Sequence, residues 1–278
     1  MGKIIWLASY PKSGNTWLRA FIHNLLRDPK EGFDINKLTA FTLGDSMPAF
    51  YRKLDPRPPE QLSFEDVARL RPRVHQDLTG VSPDNVFVKT HNALVQDHGH
   101  PTVNFAATAG AIYVVRNPLD VAISYAHHQG VTVDEIIGLM AATAMRTPNR
   151  ESFVSELVCS WSVHVESWTA RPHPGLHVVR YEDMHAKPQQ AFGGIAAFLG
   201  LKPPRERLER AIRHSSFRSL RDQEDKKGFA ERSPVAERFF REGKSGQWRS
   251  VLTPDQVKRI VQDHRAQMAR FGYVPEGL

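Results

Sequence analysis

Short apolar runs recur along the first two-thirds of the chain, each closed by a turn and most followed by a segment of helical period. The run KIIWLAS, residues 3–9, has the length and continuity of a strand buried on both faces. NTWLRAFIHNLLRD, 15–28, repeats apolar residues at helical spacing, with Asn15 placed as an N-cap. NVFVKTH (85–91), GAIYVVRN (110–117) and GLHVVRYED (175–183) read as further strands. PLDVAISYAHH (118–128) reads as a helix with Pro in its first turn, and SFVSELVCSWSVHVESWTA (152–170) as one long amphipathic helix. KPQQAFGGIAAFLG (187–200) is a helix stopped by Gly200, and residues 205–214 and 254–271 are helical. Residues 29–83 are Pro-rich and irregular apart from a short helix near 63–70 capped by Ser63, and residues 129–150 form a second insert. Residues 222–250 are polar and contain glycines, as a loop or lid would. Strands alternating with helices predict an α/β fold: one domain over 1–278, a mainly parallel central sheet flanked by helices, and a P-loop-like strand-loop-helix at its start.

Charge narrows the partners. The 278 residues carry a formal net charge of +7 and a pI near 9.6, which favours anionic ligands. The positive residues are scattered, as on solvated faces, and no long Lys/Arg block marks a nucleic-acid arm. No apolar run reaches the roughly 18 residues of a membrane span, and no leader pattern precedes the first strand, so a cytoplasmic protein is expected. The one cysteine, Cys159, excludes an internal disulfide framework and a Cys-based zinc cluster.

Candidate chemistry lies where strands end. In ASYPKSGNTW, 8–17, backbone N–H groups and a helix start converge on one point, which favours an anion. Lys12 adds a full charge, Ser13, Asn15 and Thr16 add donors, Gly14 permits close approach, and Trp17 offers a flat face. In VVRNPLDVAISY, Arg116 ends a strand and Ser124 follows two turns into the next helix; a guanidinium fork and a hydroxyl suit a phosphate. In VKTHNA, Lys89 and His91 leave a strand end that faces the ligand crevice of an open α/β sheet. Histidine is the usual general base near neutrality.

SYPKSGNTW, KTH, RNPLDVAISY, RYEDM, HSSF and FFREGKSGQW follow one another in the order seen in the cytosolic-type sulfotransferases, and the chain resembles that family over nearly its whole length, least at 30–84 and 129–150. The resemblance implies transfer of a sulfuryl group from 3′-phosphoadenosine-5′-phosphosulfate (PAPS) to a small-molecule hydroxyl, leaving the bisphosphate PAP, by direct in-line transfer without a metal. It implies that Lys12, Ser13, Gly14, Asn15 and Thr16 hold the 5′ end and that Trp17, Tyr181, Ser215 and Phe217 hold adenine. It further implies that Arg116, Ser124, Arg241 and Gly243 hold the 3′-phosphate, that His91 is the base, and that Lys12 and Lys89 stabilise the transferring group.

Three positions depart from the family pattern. Glu242 stands where a Lys is common and is expected to turn outward, toward an Arg. Asn15 replaces a Thr. The C-terminal dimer motif is broken at Thr253-Pro254, which leaves oligomeric state open.

A P-loop kinase or NTPase shares the strand-loop-helix logic. It calls for a Gly-Lys-Ser/Thr loop end and a magnesium-binding Asp at a strand end. The third strand ends in Arg116 instead, with Asp120 inside the next helix. A nucleic-acid binder leaves His91 without a role. The acceptor site falls to the inserts, with Met47, Phe50 and Tyr51 as walls or as packing, and His127 and His128 facing the site. Phenols, aliphatic alcohols and carbohydrates all fit at this level.

Overall fold

The computed structural model describes residues 2–278. The first apolar run is β1 (Ile4–Ser9), and the helix of the opening motif is α1 (Asn15–Arg27). β2 (Thr42–Gly44), β3 (Val86–Thr90), a two-residue hairpin of β4 (Gln96–Asp97) and β5 (His100–Pro101), β6 (Thr108–Val115) and β7 (Leu176–Arg180) complete the strands. Five of them form one sheet in the order β2-β3-β1-β6-β7, with every neighbour parallel. The register pairs Ala8 with Thr90, Ser9 with Val114 and Val115 with Arg180, so the carboxyl ends of β1, β3, β6 and β7 share one edge. That edge is where open α/β sheets bind ligands.

Strand alternation divides the core between the two faces. Trp6, Ala8, Val88 and Tyr113 pack against α3 (Phe64–Thr79), α4 (Pro118–Gln129), α5 (Val133–Ala141), α6 (Trp161–Thr169) and α12 (Pro254–Arg270). Leu7, Ile112, Val114 and Val179 pack against α1, α8 (Pro188–Phe198) and α9 (Arg205–His214). The short helices α2 (Pro48–Tyr51), α7 (Tyr181–Ala186) and α11 (Trp248–Val251) and the longer α10 (Phe217–Lys227) fill the edges.

Several segments depart from their local pattern. Within 29–83, β2 forms, and α3 runs on to Thr79 from a Ser63–Asp66 capping box, passing through Pro72. α5 occupies the second insert from a Thr132–Glu135 capping box. The expected long helix at 152–170 is only Trp161–Thr169. Upstream of it the backbone bonds to remote loops: Val154 N–H to Ser46 O, Leu157 N–H to Asn92 Oδ1, and Cys159 N–H to Met145 O, with Cys159 at φ 63. Those tertiary bonds override a merely amphipathic pattern. α10 takes the beginning of the expected loop at 222–250. Among the described residues no helix is long and apolar enough to cross a membrane.

Candidate active site

The opening loop turns between β1 and α1 with Lys12 at φ 64 and Gly14 at φ 108, both left-handed. A side chain at Gly14 would strike Tyr181 Cδ2 at 2.7 Å, so a glycine is required on two counts. Gly14, not Asn15, stands at the N-cap, and no side chain caps the helix. Asn15 turns inward and donates to Leu7 O at 2.8 Å, tying α1 to the strand it follows. The first-turn N–H groups therefore lack a side-chain partner. The buried Ser13 hydroxyl has none either, nor do Arg116 Nε, Trp17 Nε1 and His185 Nε2. This cluster of unmatched donors, set among cations, fits an anionic, acceptor-rich ligand.

Arg116 leaves β6 and crosses to the loop. It donates to Lys12 O at 2.9 Å, and its guanidinium lies over the Tyr181 ring at 4.2 Å. Trp17 packs on Tyr181, His185 and Phe192, with ring centroids 5.5, 4.5 and 5.5 Å away. Burial, then the Arg116 and Lys89 charges, push the Lys12 ammonium down to about 7. Ser124 is half-buried on α4. Ser215 is fully buried and donates to Ala211 O at 2.8 Å, so its proton points into α9 rather than outward.

His91 follows β3. Its Nδ1 lies 2.7 Å from Ser9 O, an acceptor only, which puts the proton on Nδ1 and leaves Nε2 as the basic nitrogen. Burial, then Lys89, hold this imidazole well below its usual range, so it is neutral at physiological pH. Its backbone is fixed as well. His91 N–H donates to Glu156 at 2.9 Å, and His91 O lies 3.2 Å from His164 Nε2. Behind it, Asp45 accepts from Thr90 Oγ1 at 2.8 Å and from Asn92 Nδ2 at 2.9 Å. Burial, then the neighbouring Glu156 charge, raise the Asp45 carboxyl above the usual range.

A strap, residues 228–247, crosses the loop without regular structure. Asn36 grips its start: Ala230 N–H donates to Asn36 Oδ1 at 2.7 Å. The Glu231 carboxylate meets the buried Arg19 at 2.8 Å. Burial alone would raise that carboxyl, but the charges of Arg19 and then Lys89 outweigh it and hold it below its usual range. Glu224 of α10 accepts from both Phe239 N–H and Phe240 N–H at 2.8 Å. Phe239 then places its ring 3.9 Å from Lys12 Nζ. Further on, Asp120 accepts from Gly246 N–H at 2.6 Å and Trp248 N–H at 3.1 Å.

Gly243, at φ 61, lies against the Phe217 ring so closely that any Cβ would overlap it. Arg241 bonds Gln247 Oε1 at 3.0 Å. Glu242 is exposed and does turn outward, but its partner is Lys244 at 3.6 Å, not an Arg.

The fold thus brings Lys12, Ser13, Gly14, Thr16, Trp17, Lys89, His91, Arg116 and Tyr181 to one sheet edge and lays Phe217, Arg241 and Gly243 beside it. Of the residues considered as acceptor walls, Phe50 and Tyr51 are buried in the core beside α3 and His127 is exposed. A cleft of about 330 Å³ opens instead between Tyr125 of α4 and Ile136, Leu139 and Met145 of the second insert. Glu156, Glu224 and Glu231 lie outside every quoted motif, and Asp120, inside one, had no role assigned. The doublet Phe239-Phe240 stood inside a quoted motif, yet nothing local marked it as the cover of Lys12. Among the described residues no cluster of His, Cys, Asp and Glu is arranged for a metal.

A model of the sulfotransferase domain matches residues 3–272. Sulfotransferase 1A1 of Canis lupus familiaris is 25% identical over 279 residues, covering 96% of this chain and 83% of that one. Sulfotransferase 1B1 of the same organism is 27% identical over 273 residues, covering 95% and 83%. Among solved structures, retinol dehydratase in complex with androsterone and the inactive cofactor PAP shares the fold with a TM-score of 0.66 at 22% identity, covering 95% of this chain and 80% of that one. A mouse sulfotransferase complexed with PAP gives 0.62 at 22%, covering 96% and 85%.

Proposed function

The chain belongs to the sulfotransferase family, and from that premise we propose that it transfers the sulfuryl group of PAPS to a hydroxyl of a small-molecule acceptor with His91 as general base. The observation that carries this reading is the pairing made at the end of β1. Ser9 O fixes the proton on His91 Nδ1, and three residues later Lys12 stands in a turn of unmatched donors.

Bound PAPS supplies a sulfuryl group already activated on a phosphate leaving group. The Lys12 and Ser13 side chains and the backbone amides of Gly14, Asn15 and Thr16 hold its 5′ end. Trp17, Tyr181, Phe217 and the Ser215 region hold adenine, and Arg116, Ser124, Arg241 and the Gly243 turn hold the 3′-phosphate. His91 Nε2 takes the acceptor proton as the acceptor oxygen bonds to sulfur, while Nδ1–H stays on Ser9 O. The Lys12 and Lys89 ammoniums stabilise the charge that builds as the phosphate oxygen leaves. The strap closes over the nucleotide as a lid. The acceptor approaches along the cleft beside Tyr125.

Thermal unfolding with PAP, with ADP, and with GTP plus magnesium tests the reading. Saturation at 100 times Kd stabilises by about 2.7 kcal/mol, at roughly 2–4 °C per kcal/mol for this size. A shift with PAP well above that with ADP is expected. A shift with magnesium GTP alone would overturn it.

A further inference from the structure

Resting on that reading, we propose that His128 is an acceptor-binding residue that accepts a hydrogen bond from a second hydroxyl beside the one sulfated, so that the preferred acceptors are vicinal diols. His128 stands in the last turn of α4, one turn beyond Ser124 and next to the insert that lines the cleft. Its Nδ1 is buried and has no hydrogen-bond partner, a state that native interiors rarely leave without a ligand to complete it.

Two further observations link this imidazole to the Lys12 ammonium. Burial, then the Lys12 and Lys89 charges, push the His128 imidazole down to about 4. The same two lysines also lower His91, so both imidazoles feel the same pair of charges. A neutral imidazole with its proton on Nε2 offers Nδ1 as an acceptor and adds no positive charge. The second observation is its cover. Phe239 of the strap meets the His128 ring edge to face at 6.1 Å, and that ring also lies over Lys12 Nζ at 3.9 Å. Displacement of one side chain therefore frees the cation for the nucleotide and the imidazole for the acceptor together.

A hydroxyl and its vicinal neighbour present two donors side by side. One proton goes to His91 and the other is held by His128. A simple phenol satisfies only the first and leaves Nδ1 unpaired inside the site, which is how polar sites discriminate against analogues that lack a group. The pairing also distinguishes the two histidines: His91 has a nitrogen tied to backbone and one free, whereas His128 has its buried nitrogen free.

Calorimetric titration of the PAP-saturated protein with 2,3-dihydroxynaphthalene and with 2-naphthol tests the proposal without turnover. The diol should bind at least about tenfold more tightly, the scale of one recovered buried hydrogen bond. H128N, whose amide oxygen falls near the Nδ1 position, should keep most of that ratio, and H128F should reduce it to within about threefold. Equal affinities in the unmodified protein, no binding of either naphthalene, or a ratio that persists in H128F would overturn the inference. The preceding PAP titration separates the two readings. Binding of PAP without a diol preference sinks the role of His128 alone, whereas no binding of PAP sinks the cofactor assignment and this inference with it.

Discussion

The β1–α1 loop and the strap at 228–247 meet over the same cations but are held in opposite ways. The loop is local: a strand sets its start, a helix its end, Gly14 its turn, and Asn15 ties helix to strand eight residues back. The strap is anchored from a distance by single side chains, namely Asn36, Arg19, Glu224 and Asp120. A rigid turn can present charges with little reorganisation when ligand arrives, which is what stabilising a transferring group demands. A segment fixed at a few points can leave and return, which is what admitting a nucleotide demands.

The contrast is broken most severely on the rigid side. H91A and K12M each remove a group proposed to act on the reacting atoms, and kcat should fall about 10³-fold in steady-state sulfuryl transfer at saturating PAPS. Both proteins should remain folded by circular dichroism, since neither side chain carries the core. On the strap, E224A leaves the Phe239 and Phe240 amides unpaired, at a local cost of about 1–3 kcal/mol. PAP affinity should drop by roughly 10–30-fold, and trypsin should cut at Arg232 and Arg238 faster in the ligand-free protein. A global loss of melting temperature with no change in that cleavage would place Glu224 in the core rather than at a hinge.

pH sharpens the comparison. Lys12 is depressed to about 7, so the free enzyme loses this ammonium as pH rises through that value. A bound polyanion favours the charged form and raises it again. Thus kcat/KM for PAPS should fall by up to tenfold per pH unit above 7, while kcat holds to higher pH. K12R, charged throughout, should remove that alkaline limb. His91 is depressed as well and stays neutral, so no acid limb from this base should appear between pH 6 and 8. The smallest effect belongs to E231Q. It takes one negative charge away from Arg19 and Lys89, and PAP should bind about threefold more tightly at low salt, with the gain shrinking as salt screens it.

The same contrast explains what could be read along the chain. Parallel strands, the helices after them, and the residues Lys12, Gly14, His91 and Arg116 declare themselves through short-range patterns: an apolar run, a turn, a helix start. The helix expected over 152–160 failed because its residues spend their backbone bonds on loops brought close only by the fold. Glu156, which holds the His91 backbone, sits in that stretch and had no local signal. Phe50 and Tyr51 looked like acceptor walls because aromatic residues suit both a pocket and a core, and only α3, running on through Pro72, decides for the core. The strap is the extreme case, since each of its anchors lies on another element.

The central claim is that the loop reads the 5′ end of the nucleotide and the strap completes the site for its 3′-phosphate. Calorimetric affinities for PAP and for 5′-AMP, in the unmodified protein and in G243A, test it most directly. Alanine at this position is opposed both by the φ of 61 and by the Phe217 ring, and it should displace the strap alone. PAP should bind at least about 100-fold more tightly than 5′-AMP, the scale of two charge-assisted hydrogen bonds. G243A should collapse that ratio below about tenfold by weakening PAP while leaving 5′-AMP within about threefold. Equal affinities in the unmodified protein, or an undiminished ratio in G243A, would contradict the account.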